Sequence, residues 1–520
     1  MDQYAKQALL EYNSEKTAAH LGGVNNRPFW NGCSSQFMFV PAFQFSGVRR
    51  AAAYLFTAED KNGKKHTFQA ALPTVSLEPI WADIPAGVVH LTVESVNNDG
   101  KVEHIVDARS FYKSTPFPGR GAYPANARSY RECALAAYRF IYNDEMVQYW
   151  LKHGKPMPDY PHNVYPAKTI DAIIRAMVAY AKLEPSSAED ALKLACRAAD
   201  YLLSISFDEN HLLAYLPPTY SFEGLNAEAV NKVAPAAQHC VGTTMMIYSF
   251  HAGIGYLSLA EATGNEKYFN AALRIAEYFK ANVLPSGTWY LLYDCATGKP
   301  KSNNLCLDYN IVDFFHKLYE KTRDEAWHNL EVAHYNYIID TCLKEYKWEG
   351  QFEDSAVSLP YENHTHFNTD FVIEYTTKYL SNDEKMVEEA VDLMRFIEDQ
   401  FVVWGEHPEW NTGWGADYWH YPAGLEQYFC YAPIDSSTAA IMNAFLNMYQ
   451  LKGDRLYLEK AMTLANKITR VQNAETGQIP TFWMGENCEY GYENFWVNCQ
   501  LFTANMMMNL AEFVESNGIE

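Results

Sequence analysis

From about residue 125 onward, apolar residues recur at intervals of three and four, the repeat of a helix that buries one face. The spacing predicts twelve helices, near 127–142, 168–183, 187–206, 242–262, 265–282, 306–321, 324–344, 367–381, 383–402, 435–451, 454–472 and 495–515. Ala271, Leu273, Ala276, Tyr278 and Phe279 fit one such face. Asn368-Thr369-Asp370 and Asp435-Ser436-Ser437 offer N-cap side chains at two of the starts. Residues 26–115 read differently. Short strand-like runs at 37–40, 52–56, 65–68, 88–93 and 106–112 are divided by turn signals at 60–63, 85–87 and 97–100. This pattern predicts a small β-sandwich of the immunoglobulin or fibronectin type. Residues 1–25 read as an N-terminal arm or helix, 116–121 as a linker, and 122–520 as the helical domain.

The connections between the helices alternate in length. Tiny joints (262–265, 322–324, 380–383, 452–454) separate the members of a pair, and long loops (207–240, 283–305, 345–366, 403–434, 473–494) separate the pairs. The pairs repeat at roughly 60–70 residues, which suits an (α/α)6 barrel or an open superhelical array. Long loops with rich chemistry favour the closed barrel. In a closed ring the short and long joints fall on opposite faces, so every long loop shares one face. The inner helices then start near 168, 242, 306, 367, 435 and 495, and the residues before these starts line the mouth.

Composition narrows the function. The chain is 48% hydrophobic and 15% aromatic, which excludes global disorder. Its formal charge of −22, from 41 basic and 63 acidic residues, opposes nucleic acid and an anionic membrane surface. Ten scattered cysteines without a CxxC, and no opening signal-peptide pattern, predict a cytoplasmic protein with reduced thiols. No run approaches a membrane span. No GxSxG, P-loop or Rossmann glycine pattern occurs, so no cofactor is expected.

The long loops hold the candidate chemistry. The loop before the fourth inner helix carries Glu353, Asp354, Glu362, His364 and His366. Glycoside hydrolysis needs two carboxyl groups flanking the bond, so Glu353 or Asp354 is the candidate acid and Glu362 its partner. An HxH pair alone offers too few ligands for zinc, so no metal is expected. The next loop contains Trp410, Asp417 and Trp419, and a later one Trp483; their rings are candidate platforms for sugars. Residues 287–294 read as a hairpin that delivers Tyr293 and Asp294 to the mouth, and His239 precedes the second inner helix as a candidate acid or base. His251, deeper in that helix, reads as a core histidine.

A small β-domain followed by twelve helices with Trp- and acid-rich loops resembles the six-hairpin glycosidase superfamily. Gly287-Thr288-Trp289-Tyr290-Leu291-Leu292-Tyr293-Asp294 is also similar to a WYxLYD-like segment of glucuronyl C5-epimerase C-terminal domains. The resemblance implies a carbohydrate substrate, with uronic-acid glycans and β-glucuronides as a sub-class. The expected activity is a glycoside hydrolase on oligosaccharides or glycosides. The alternatives are a polysaccharide lyase or uronate C5-epimerase using Tyr293 and a histidine, and a glycan-binding protein without turnover. The β-domain is expected to pack on the barrel or on a neighbouring subunit, which leaves a homo-oligomer open.

Overall fold

The computed structural model describes residues 2–14, 30–228, 240–348, 351, 361–406 and 419–519. The chain begins with α1 (Gln3–Tyr12), followed by β1 (Gln36–Phe37), β2 (Ala42–Gln44), β3 (Ala53–Glu59), β4 (Lys65–Ala70), β5 (Thr74–Ser76), the short α2 (Glu78–Trp81), β6 (Gly87–Val96) and β7 (Val102–Lys113). Five strands form one sheet in the order β1-β7-β6-β3-β4, and β2 pairs with β5 in a second. Along β3, burial alternates with the pleat, so Tyr54, Phe56 and Ala58 point into the core. There they meet Phe37, Phe43, Trp81, Leu91 and Phe111. The strand expected at 37–40 ends at Phe37. The reason is tertiary: the next two backbone N–H groups, of Met38 and Phe39, donate to Asp399 Oδ1 at 2.5 and 2.7 Å.

The helical domain runs α3 (Tyr130–Asn143), α4 (Glu145–His153), α5 (Pro166–Leu183), α6 (Ala188–Ile205), β8 (Thr243–Met245), α7 (Met246–Thr263), α8 (Glu266–Ala281), β9 (Leu292–Asp294), α9 (Asn310–Thr322), α10 (Glu325–Tyr337), α11 (Phe367–Tyr379), α12 (Glu384–Phe401), β10 (Val402–Val403), β11 (Ala423–Gly424), α13 (Asp435–Lys452), α14 (Arg455–Val471) and α15 (Val497–Ser516). Five hairpins pair α5 with α6, α7 with α8, α9 with α10, α11 with α12 and α13 with α14. The helix α15 packs on α3. Gln500 donates to the Ala137 carbonyl at 3.0 Å across this seam, and Arg131 meets Glu515 at 2.7 Å. The ring is therefore a closed (α/α)6 barrel with α5, α7, α9, α11, α13 and α15 inside. Every residue of α13 from Asp435 to Met448 is buried, as an inner helix requires. The helix α4 is not among the twelve that the spacing predicts, yet Asp144 caps its start and Gly154, in a left-handed conformation, ends it.

The four short joints share a capping side chain, and three of them open on a left-handed residue. Gly264, Arg323 and Gly453 take the left-handed conformation that ends a helix, at φ of 68, 58 and 69°. Asn265, Asp324, Asp383 and Asp454 then cap the next helix, each accepting from the backbone N–H two residues on. Each cap stabilises its helix by about 1 kcal/mol. No helix among the described residues is long and apolar enough to cross a membrane.

A buried polar hub at the end of α12 fastens the N-terminal region to the barrel. Glu398 accepts from Lys460 at 2.7 Å, from Tyr12 of α1 at 2.5 Å and from Trp404 at 3.0 Å. Gln400 and Gln36 exchange side-chain-to-backbone hydrogen bonds at 3.0 and 3.2 Å. Burial pushes the Asp399 carboxyl up to about 7, against the N–H groups that point at it. Replacing Asp399 with Ala leaves two buried N–H groups without an acceptor. The expected loss is about 2–4 kcal/mol, read as a lower urea midpoint together with faster proteolysis in the linker at 114–129.

Candidate active site

A cavity of about 180 Å³ lies on the barrel axis, at the end where the inner helices begin. Each inner helix contributes to its wall: Lys168 and Arg175 from α5, Tyr248 and His251 from α7, Asn310 from α9, Asn368 from α11, Ser436 from α13 and Asn498 from α15. Asp308, Gln351 and Glu426 come from the long loops. The wall is thus built by the face on which the connection lengths place all the long loops.

At its centre stands a His–Asp pair. His251 Nε2 lies 3.2 Å from Asp308 Oδ2. Asp308 Oδ1 accepts from the Asn310 backbone N–H at 2.7 Å and from its side-chain amide at 2.6 Å. His334, on the outer helix α10, lies with Nε2 3.3 Å from the Asp308 carbonyl and braces it from behind. Burial alone would raise the Asp308 carboxyl, but the facing His251 and the Asn310 donors outweigh it and hold it below the usual range. Asp308 is therefore an anion at neutral pH. An Nε2–H that donates to this anion leaves the imidazole lone pair on Nδ1.

Two cations share the wall. The Lys168 ammonium sits 4.3 Å over the Trp496 ring. Arg175 clamps Asp171 one turn earlier, with Nη2 to Oδ2 at 2.5 Å and Nε to both oxygens at 3.0 Å. Gly255 of α7 makes room for this pair, since a Cβ there would lie 2.5 Å from Asp171 Oδ1. Cys499 also lines the cavity, but burial pushes its thiol well up, so it is no thiolate nucleophile.

The residues that the loops offer as candidates and the residues that line the cavity are different sets. His239, Glu353, Asp354, Trp410 and Asp417 lie outside the described residues. Glu362 is exposed. Tyr293 sits on β9 and is buried against Tyr290, and Asp294 accepts from Thr297 in its own turn at 2.8 Å. Trp419 and Trp483 are buried, the latter donating to the Pro480 carbonyl at 2.9 Å. His364 is enclosed by Trp348, Phe396 and Tyr428, with Nε2 2.8 Å from the Tyr346 carbonyl. His366 is buried beside the cavity, Nδ1 2.5 Å from Asp370. None of these six described side chains besides Glu362 is exposed, and none of the seven forms the cavity wall. His251, which reads as a core histidine in sequence, does line it. A signal for the missed residues existed: Lys168, Asp171 and Arg175 recur along one face of an otherwise apolar inner helix, where polar groups have a cost unless they have a use.

Neither a protein-family model nor a curated protein sequence matches the chain. Solved structures do match its fold. A cellobiose 2-epimerase from Spirochaeta thermophila is 13% identical, with a TM-score of 0.51 over 74% of this chain and 98% of its own. A D-mannose isomerase is 11% identical, with a TM-score of 0.53 over 75% of this chain and 100% of its own. A sugar epimerase from a ruminal bacterium is 14% identical, with a TM-score of 0.51 over 73% and 98%. The chain has the six-hairpin (α/α)6 fold of these proteins.

The caged histidines make stability pH-dependent. Burial lowers the His364 and His334 imidazoles to about 4. Unfolded histidine titrates near 6.5, so the unfolded chain binds protons first as pH falls. The contribution is complete above about pH 6.5 and declines toward pH 4, at about 1.4 kcal/mol per pH unit per histidine. Urea midpoints measured at pH 7, 6 and 5 are expected to fall less steeply in His364→Phe than in the unaltered protein.

Proposed function

We propose that this protein is a carbohydrate-active enzyme that moves a proton between carbons of a sugar, as an aldose–ketose isomerase does. The observation that carries the reading is the His251–Asp308 pair on the wall of a cavity to which all six inner helices contribute. Asp308 orients the ring and stabilises its cation, and His251 takes the proton from the carbon beside the sugar carbonyl. The electron pair left behind moves onto the carbonyl oxygen, where the Lys168 ammonium opposes the charge. The hydroxyl proton of the adjacent oxygen passes to that oxygen, and returning the carbon proton to the former carbonyl carbon on the same face gives the ketose and restores His251. One base suffices for this path. Epimerisation at the same carbon needs a group on each face, and among the described residues His251 is the single histidine in the cavity wall. The names of the structural neighbours, an isomerase and two epimerases, belong to this reaction class. Ten free thiols support a cytoplasmic setting.

A glycoside hydrolase is the second reading, favoured by Gln351. This residue is pinned at the cavity wall, accepting from Leu307 N–H at 2.9 Å and donating to the Leu305 carbonyl at 2.7 Å. Glu353 and Asp354, the candidate acids, follow it by two and three positions.

Proton NMR in D2O separates the readings. An aldose and disaccharide panel is expected to show deuterium uptake at the carbon beside the carbonyl and a ketose product. His251→Gln is expected to lower kcat by about 10²–10⁴-fold with little change in fold. New reducing ends without carbon-bound exchange would select the hydrolase. An active His251→Gln enzyme would remove His251 from the mechanism.

A further inference from the structure

Five of the six neighbouring pairs of inner helices pack closely along the ring, and the sixth, α9 against α11, does not. A second cavity of about 310 Å³ occupies that seam. It lies behind the first, sharing Arg175, Tyr309, Asn310, Phe367 and Phe502 as a common wall. The rings of Tyr309 and Phe371 stack at 5.3 Å across the seam. The cavity opens on the short-joint face, where Tyr379 is 53% exposed.

The lining has the composition of a sugar site. Phe371, Tyr375 and Tyr379 recur every fourth residue along one side of α11 and line the cavity, with Phe371 stacked on Tyr309 and Tyr375 on Tyr335. Asn443 and Asn505 add amides. The charged groups of the lining are paired: Lys317 with Asp313, Lys378 with Glu374, Arg175 with Asp171, Asp370 with His366 and His316 with Glu331. A site whose ions neutralise one another has no net field to attract an anion and suits a neutral polyol. Asp370 bonds His366 through Oδ2, while its buried Oδ1 has no hydrogen-bond partner.

The geometry points to a second binding site, for a neutral monosaccharide, entered from the short-joint face and separated from the catalytic cavity by the Tyr309–Asn310 wall. Asn310 faces both cavities and holds the Asp308 carboxylate, so it also links the rear site to the His251–Asp308 pair. The site stands on its own lining and does not depend on the reaction assigned to the front cavity.

Calorimetric titration of D-glucose, D-mannose and D-fructose tests it, with the unaltered protein and His251→Gln in parallel. At least one sugar is expected to bind at two sites per chain. Tyr379→Ala and Glu374→Gln, both at the solvent end of the rear cavity, are each expected to weaken one site at least tenfold and leave the other. D-glucuronate is expected to bind that rear site at least tenfold more weakly than D-glucose. One site per chain for every sugar overturns the proposal, as does an unchanged pair of sites in both variants. Equal rear affinity for glucuronate overturns the assignment to a neutral ligand. Two sites in a protein that turns over no sugar would sink only the catalytic reading; turnover with one site would sink only this one.

Discussion

The structure depends on closing the ring. An inner helix such as α13 is buried on nearly all sides, so it needs inner neighbours and an outer partner to exclude water. Five hairpins supply that partner locally, and the sixth pair is made by the two ends of the domain, α15 on α3. Until that long-range contact forms, the first and last inner helices each have an open flank. Closure also creates the axial cavity, because it brings residues from Lys168 to Asn498 to the same few ångströms of space.

The N-terminal region is tied to this ring by polar contacts in a dry place. Glu398, Asp399 and Gln400 are consecutive and buried, and between them they hold α1, Lys460, Gln36 and the backbone after β1. Such groups are costly alone and stabilising only when every partner is present. The docking is therefore specific in orientation, and an apolar contact of the same size would not select one register for β1.

The functional face follows the same logic. Around the axial cavity, polar residues of the inner helices are held by their neighbours. Asp171 holds Arg175, Asn310 holds Asp308, and Gly255 leaves the space that the first of these pairs fills. The open seam between α9 and α11 is the place where helix packing gives way to side chains and cavity, and it brings the rear cavity against the wall of the front one.

The order of the ring helices is legible in the chain, whereas α4 and the short strands β2 and β5 are not. Helical periodicity located the twelve ring helices to within a few residues, because caps such as Asn265 and Asp454 and the left-handed turns before them are local signals. Alternating joint lengths determined which face would carry the long loops. The tertiary structure decided which side chains meet there. Trp483 and His364 have the look of site residues in a loop and are buried in packing, whereas His251 has the look of a core residue and lines the cavity. Asp308 is 57 residues away from it in the chain. Local periodicity reports whether a residue is buried on its own helix; whether that buried face looks onto another helix or onto an axial cavity depends on contacts that form only when the ring closes.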